Sequence, residues 1–171
     1  MKTFKNVMYV MLALVTLTFT ACSTDDGNDS GDTANEGRIT AKIDGSNFQS
    51  MEIATTVNVV NAGGVQAMTI QGGDSDGKTI VLLINGFDGT GDYAIDSEAI
   101  VFSTATYIIP NASNPQDIQS WSAPFMDSGV TGNIDVNVFT DAKAEGTFTF
   151  TAQNADGGQV VVSEGAFNIN R

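Results

Sequence analysis

The sequence has no histidine, only one cysteine, and few basic side chains: 7 Lys and Arg stand against 20 Asp and Glu among 171 residues. Without histidine there is no Ser-His-Asp relay and no imidazole metal ligand. A single cysteine excludes an internal disulfide and a cysteine zinc site. The net charge of −13 disfavours contact with nucleic-acid phosphates. We therefore expect a protein that is not an enzyme and binds no nucleic acid.

Residues 1–21 have the features of a lipoprotein signal peptide. Two early lysines precede an apolar stretch over residues 7–20, which is shorter than the roughly 20 residues that span a membrane. It ends at Phe19-Thr20-Ala21-Cys22, which resembles the lipobox of bacterial lipoproteins, although Phe19 stands where leucine is usual. The resemblance implies acylation of Cys22 and attachment to the membrane. An ordinary signal peptide with an incidental cysteine is the alternative.

Residues 22–37 predict an acidic, flexible tether. They contain no large apolar side chain, so burial cannot offset the entropy of ordering them. An acidic run directly after the lipidated cysteine also resembles the surface-export signal of Bacteroidetes-type lipoproteins, which implies the outer face of the outer membrane. A solvated linker is the plain alternative. Asp32-Thr33-Ala34 resembles the O-glycosylation pattern of the same bacteria, which makes Thr33 a candidate site unless the match is chance.

Residues 38–171 predict one all-β domain. Apolar and polar residues alternate in short runs, and clusters of Gly, Asn and Asp separate them. About nine or ten short strands joined by tight turns favour an antiparallel β-sandwich or barrel. The unbroken apolar run Ile80–Ile84 predicts a central strand that is covered on both faces.

The last strand changes parity. Val160 and Val162 occupy even positions, whereas Phe167 and Ile169 occupy odd ones. If all four side chains face the core, the strand must gain a residue between them. The dipeptide Glu164-Gly165 is the predicted β-bulge.

Two segments share the pattern Glu-Gly-x-Phe, at residues 145–148 and 164–167. Glu145 and Glu164 could form a carboxylate pair for glycoside hydrolysis, which requires a separation of roughly 5–10 Å. Alternatively, each glycine relieves a twisted strand and each glutamate is solvated. We favour the second interpretation and keep a carboxylate-only hydrolase as a remote alternative.

Six short motifs follow one another between Arg38 and Arg171. They are Ile39-Thr40-Ala41-Lys42-Ile43-Asp44-Gly45, Thr69-Ile70-Gln71-Gly72, Gly77-Lys78-Thr79-Ile80, Gly89-Thr90-Gly91-Asp92-Tyr93, Gly146-Thr147-Phe148-Thr149-Phe150 and Glu164-Gly165-Ala166-Phe167-Asn168. In this order they resemble a family of small Bacteroidetes lipoproteins of uncharacterised function. The resemblance implies a secreted, lipid-anchored β-domain and transfers no catalytic residue.

Four aspartates in glycine-containing turns are candidate calcium ligands: Asp74, Asp76, Asp88 and Asp92. Calcium prefers carboxylate and carbonyl oxygens. Counted from Asp74, however, Lys78 and Asn85 fall at positions 5 and 12 of an EF-hand loop, where ligands are needed. Aspartate and glycine are also ordinary hairpin residues. We favour turn formation and expect no cofactor, with calcium as the weak alternative.

The only tryptophan, Trp121, follows a loop that contains two prolines, residues 110–117. Together with Tyr107 or Tyr93 it could stack on a sugar ring or anchor a protein partner. A half-buried core aromatic that closes one end of the sandwich is the alternative, and we favour it.

These observations predict a non-catalytic, lipid-anchored surface protein whose β-domain binds a glycan or a protein. A structural or accessory component of an envelope lipoprotein assembly is the alternative. An exposed apolar patch would favour a protein partner, whereas a concave groove floored by aromatic rings would favour a glycan.

Overall fold

The computed structural model describes residues 34–98, 101, 103–114 and 116–171. This part of the chain holds eleven β-strands and a short 3-10 turn at Glu52–Ala54. The strands are β1 (Arg38–Ile43), β2 (Ser46–Gln49), β3 (Thr55–Ala62), β4 (Val65–Gly73), β5 (Thr79–Asn85), β6 (Gly91–Ile95), β7 (Thr104–Ile109), β8 (Gln119–Ala123), β9 (Gly132–Phe139), β10 (Lys143–Gln153) and β11 (Gln159–Asn170). The all-β prediction is confirmed, with slightly more strands than expected.

Several sequence predictions concern residues outside this described part. The signal peptide, Cys22 and Thr33 all lie there. Within the described residues, no helix has the length and apolar character needed to cross a membrane.

All strand pairs are antiparallel, and the sheet curls into a half-barrel. The order is β2-β1-β11-β10-β8-β7-β5-β4-β3, while β9 pairs with β10 and β6 pairs with β9. Strand β10 connects two regions, because it pairs with β11 and β9 along its length and only Gln153, at its end, pairs with Ser122 of β8. We call β3, β4, β5, β7 and β8 half A, and the remaining strands half B.

The hydrophobic core lies on the inner face of the curled sheet. Half A contributes alternate residues of its strands, and half B contributes both aliphatic and aromatic side chains. The fully or almost fully buried members include Met68, Ile70, Ile80, Leu82, Ile84, Ile134, Val136, Phe148, Phe150, Phe167 and Ile169. Removing this apolar surface from water is the main favourable term in folding.

Strand β5 is central, because it lies between β4 and β7 as predicted. Its residues nevertheless alternate: Ile80, Leu82 and Ile84 are fully buried, whereas Val81 and Leu83 are half-exposed. The prediction that both faces of β5 are covered is therefore wrong. An antiparallel sheet can pack one face on a core and turn the other to solvent, and the apolar run did not distinguish the two cases.

The predicted bulge in β11 is confirmed. Gly165 lies opposite Phe148 and Val162 lies opposite Phe150, so the β11 side holds one extra residue. Glu164 has a φ of 50°, in the left-handed region that a bulge residue can occupy. Because of the extra residue, even-numbered side chains before the bulge and odd-numbered ones after it face the core. All four predicted core side chains are buried: Val160, Val162, Phe167 and Ile169.

The two Glu-Gly-x-Phe segments are partners in the β10–β11 ladder. Gly146 lies opposite Phe167, and Gly165 lies opposite Phe148. A Cβ on Gly165 would collide with the carbonyl oxygen of Phe148 and lie 2.6 Å from Cδ2 of its ring. A Cβ on Gly146 would collide with the carbonyl oxygen of Asp135 and lie 2.8 Å from Cε1 of Phe167. Each glycine therefore makes room for the ring of the other segment, which gives the repeated pattern a packing explanation.

The described end of the predicted tether is attached to the domain. Ala34 is buried, and the side-chain amide of Asn168 donates to its carbonyl oxygen at 3.1 Å. The Gly37 amide donates to the Asn168 carbonyl oxygen at 2.7 Å. Residues 34–37, assigned to the tether from the sequence, therefore belong to the folded domain, because hydrogen bonds to β11 hold them in place.

Candidate functional site

Tyr107 and Trp121 lie directly opposite each other on β7 and β8. Their rings stack with centroids 5.7 Å apart and an interplanar angle of 29°. Tyr107 is buried and Trp121 is half-buried, and both contact the core. Burial raises the pKa of the Tyr107 hydroxyl. This is the geometry of core packing, which was the interpretation favoured from the sequence.

Tyr93 belongs to a different aromatic cluster on half B. Its ring centroid lies 5.8 Å from that of Phe87, and Phe87 lies 4.7 Å from Phe139. The Arg171 guanidinium lies 4.2 Å from the centroid of the Phe139 ring, a cation–π contact. The structure therefore brings Tyr107 together with Trp121 and places Tyr93 elsewhere.

The Tyr93 hydroxyl closes the turn before β6. It lies 2.9 Å from Oδ1 of Asp88 and 2.7 Å from the carbonyl oxygen of Gly89, and it accepts a hydrogen bond from the Asp88 amide at 3.3 Å. Burial is the main reason that the pKa of Tyr93 is raised. These hydrogen bonds of the Tyr93 hydroxyl hold the turn in place, and we call them the latch.

An open groove with a volume of about 450 Å³ lies beside this latch. Its lining includes Asn85, Asp88, Asp92, Tyr93, Val101 and Ser103. Asp92 accepts a hydrogen bond from the Asn133 side chain at 2.9 Å and lies opposite Asp135 in the β6–β9 ladder. The groove therefore unites three residues singled out in the sequence, and all three form hydrogen bonds within the domain.

Asp74 and Asp76 form part of a turn. Oδ1 of Asp74 accepts hydrogen bonds from the amides of Asp76 at 2.9 Å and Lys78 at 2.8 Å, as in an Asx turn. Asp76 pairs with the Lys78 ammonium at 3.3 Å, and its hydrogen bond is the main cause of the raised pKa of Lys78. Across the described residues, no group of three or more Asp, Glu, Cys or His side chains is arranged to hold a metal ion.

Glu145 and Glu164 do not converge. Glu145 pairs with Lys143, and Glu164 pairs with Lys42 at 2.8 Å. Glu164 is next to Gly165, which lies opposite Phe148 in the ladder. It is therefore about four residues, or roughly 13 Å, along the ladder from Glu145. That distance exceeds the separation that a pair of glycosidase carboxylates requires.

The outer face of half A differs in charge from the acidic chain as a whole. In the ladders around β5, Leu83 lies between Thr69 and Thr104, and Val81 lies between Gln71 and Thr106. Within the described strands of half A, every outward-facing side chain is uncharged. We call this surface the neutral face, and it comprises Thr56, Asn58, Val60, Val65, Ala67, Thr69, Gln71, Thr79, Val81, Leu83, Asn85, Thr104, Thr106, Ile108, Ser120 and Ser122.

The neutral face was not found from the sequence, although two signals point to it. Residues 53–73 contain no charged side chain in a strongly acidic chain, and residues 80–84 are all apolar. Val60 and Val65, at the tip of the β3–β4 hairpin, are each 55% exposed. Such a surface can be covered by a partner without the removal of a charge from water.

The comparisons with known proteins agree with an uncharacterised domain. No curated protein and no solved structure matches the chain. A family model described as a domain of unknown function, DUF6252, matches residues 35–169, so its start lies within the segment 34–37 that is attached to β11. The chain therefore belongs to the DUF6252 family.

Proposed function

We propose that this protein is a non-catalytic lipoprotein of the bacterial outer membrane, anchored through Cys22, whose β-domain binds a protein partner through the neutral face. The observation that carries the proposal is the lack of charge on the outward-facing side chains of half A, as far as the described strands go, in a chain with a net charge of −13. Acidic side chains are plentiful in this protein, so their exclusion from one broad face needs an explanation beyond solubility.

The chemistry of the neutral face suits a protein surface. Val81, Leu83 and Ile108 supply apolar area that is half-exposed, and threonine hydroxyls between them can bond to polar groups of a partner. The fully buried centres of protein interfaces are likewise depleted in charged side chains. Burial of an unpaired charge costs several kcal/mol, a penalty that this face avoids.

The lipobox-like sequence supports the membrane anchor and limits where the partner lies. The chain from Cys22 to residue 33 spans at most about 40 Å, because an extended residue covers about 3.5 Å. The domain therefore stays close to the membrane surface, and its partner is another envelope component. A structural role in an assembly of lipoproteins is one form of the same proposal.

A glycan is the second candidate ligand, and the groove beside Tyr93 favours it. Asp88 and Asp92 line this groove with the Tyr93 hydroxyl, and carboxylates commonly bind pairs of sugar hydroxyls. Glycan binding to the purified mature protein should fall with Asp92→Asn and should be unaffected by Leu83→Lys. The opposite pattern would assign the glycan to the neutral face.

A lysine substituted into the neutral face tests whether this face binds a partner. A photoreactive residue at Thr106 in the lipidated protein should cross-link to a partner in cell envelopes. The added substitution Leu83→Lys should abolish the product, whereas Thr149→Lys, at an exposed outward position of half B, should leave it unchanged. If both lysines or neither of them removes the product, the neutral face is not the binding surface.

The anchor has its own test. A palmitate analogue supplied to growing cells should label the wild-type protein but not Cys22→Ser. Labelling of the variant would contradict attachment at Cys22 while leaving the binding surface open to separate measurement.

A further inference from the structure

The described sheet ends in three edge strands that differ in how well they are protected. Strand β2 has four residues, and β6 has five and carries Asp92. Strand β3 has eight residues, without proline or charge, and it pairs with β4 through eight consecutive residues without a register shift. Short length, charges, prolines and bulges are the usual means by which proteins prevent edge-to-edge pairing. Strand β3 has none of these.

Backbone groups of β3 are available at this edge. The β3–β4 turn consists of Gly63 and Gly64 with φ values of 64° and 87°, which indicates a two-residue type I′ hairpin. In such a hairpin the residues that flank the turn bond to each other and hydrogen-bonding positions then alternate, so the amides and carbonyls of Val57, Val59 and Asn61 point away from β4. None of the described backbone hydrogen bonds outside the strand ladders uses these three residues.

We propose that β3 pairs antiparallel with β3 of a second copy of this chain, so that the two sheets continue across a two-fold axis. A register centred on Asn58 places Asn58 opposite itself, Val57 opposite Val59 of the second copy, and Thr56 opposite Val60. Each residue then meets one that faces the same side of the sheet, because pairing preserves the alternation of faces. The outward-pointing groups of Val57 and Val59 become hydrogen-bonded pairs in this register.

The charge distribution favours a second copy. A two-fold interface brings the same patch of both subunits together, so any charged residue at its centre would meet a like charge. Residues 53–73 carry no charge, although the whole chain is strongly acidic. The self-pairing of β3 therefore avoids the like-charge repulsion that an acidic edge strand, such as β6 with Asp92, would create.

An exposed isoleucine next to β3 fits the same arrangement. Ile53, two residues before the strand, is 92% exposed. In the register centred on Asn58, Thr55 lies opposite Asn61 of the second copy, which brings the 3-10 turn that holds Ile53 close to the β3–β4 turn of that copy. The dimer would thus place an apolar side chain that is otherwise in water beside the interface.

This inference goes beyond the proposed function and does not depend on it. Edge pairing uses the backbone of β3, whereas partner binding uses side chains in the middle of the neutral face. A dimer would place two neutral faces side by side on one continuous sheet, which doubles the area offered to a partner.

Cysteine cross-linking of the full mature chain tests the register. Asn58→Cys should form a disulfide-linked dimer under mild oxidation, because residues opposite each other in a non-hydrogen-bonded pair have Cβ atoms about 4.5–5.5 Å apart. Asn137→Cys, an exposed position on β9, is the matched control and should give no more dimer than the wild type, which reports on Cys22. Equal cross-linking at both positions, or none at Asn58, would overturn the proposal.

Charge at the two-fold axis provides a second measurement. Light scattering, corrected for the mass of bound detergent, should give twice the protomer mass for the wild type and the protomer mass for Asn58→Lys. The control variants Asn47→Lys, on β2, and Leu83→Lys should remain dimeric. Asn47→Lys and Leu83→Lys should keep the wild-type melting temperature, because these side chains point outward. Asn58→Lys should still unfold cooperatively, at a lower temperature that reflects the lost dimer. A dimer that persists in Asn58→Lys, or a wild-type monomer whose β3 cross-links only to a different protein, would contradict self-pairing.

Discussion

The two halves of the sheet bury similar inner faces but present different outer ones. On half B the outward positions include Asp92 opposite Asp135 and the ion pair between Lys42 and Glu164. On half A the equivalent positions are threonine, serine, amide and aliphatic side chains, such as Leu83. Folding requires only the inner pattern, so the outer faces are free to differ. The proposed binding of a protein partner depends on that difference.

The largest expected difference lies between the two faces of β5. Leu82→Ala should reduce the free energy of unfolding by about 4 kcal/mol, because Leu82 is fully buried and its truncation leaves a cavity. Leu83→Ala, one residue later on the outer face, should cost less than about 1 kcal/mol. Urea unfolding of the two variants measures both values. Similar losses would show that the outer face of β5 is covered like the core.

The β10–β11 ladder should tolerate an added methyl group at a glycine less well than half A does. Gly165→Ala should lower stability by about 3 kcal/mol, because its Cβ would collide with the backbone carbonyl oxygen of Phe148 and lie 2.6 Å from Cδ2 of its ring. Gly73→Ala, at the end of β4, is the control. Its Cβ would meet nothing closer than 3.4 Å, so it should cost well under about 1 kcal/mol. Equal effects in chemical denaturation would contradict the packing of each ring against the opposing glycine.

The latch beside β6 should have a smaller, pH-dependent effect. Tyr93→Phe should destabilise half B by about 1 kcal/mol at neutral pH through the lost hydroxyl contacts with the turn. Burial raises the pKa of Tyr93 above its ordinary value of 10.0, so its neutral form stabilises the fold below pH 10 and this contribution is lost as the pH rises through the folded-state pKa.

Unfolding curves of the wild type and Tyr93→Phe at several pH values test the latch. The difference in stability between the two proteins should shrink above pH 10. A difference that stays constant to pH 11 would show that the hydroxyl proton plays no part in holding the turn.

The smallest effect should come from an exposed ion pair on half B. Glu164→Gln should change stability by no more than about 0.5 kcal/mol, because both partners are substantially exposed and screened by solvent. Thermal unfolding at low and high salt should give nearly equal melting temperatures for this variant and the wild type. A loss of several degrees would mean that charge on half B has a structural role that its exposure does not suggest.

Local patterns in the sequence predicted much of the fold. The alternation of apolar residues indicated an all-β domain, and the parity change between Val162 and Phe167 located the bulge correctly. Both features depend on residues that are close together in the chain. The clustering of Asp88, Asp92 and Tyr93 around one groove likewise reflects their proximity in sequence.

Features that depend on strand order could not be predicted. Leu83 acquires Thr69 and Thr104 as neighbours only because β5 lies between β4 and β7. In the same way, the two Glu-Gly-x-Phe segments gain their packing role only when β10 and β11 are paired in register. A single sequence gives residue alternation along each strand, but it does not state which outward faces become adjacent.

The attachment of residues 34–37 to β11 also has a mechanical consequence. Tension transmitted along the chain from a membrane anchor would reach the folded domain first at Ala34 and Gly37, whose hydrogen bonds lead to Asn168. From there the load passes into β1, which has β2 on one side and β11 on the other. The force would therefore enter the sheet at a strand that is hydrogen-bonded on both sides, and β2 and β11 would share it.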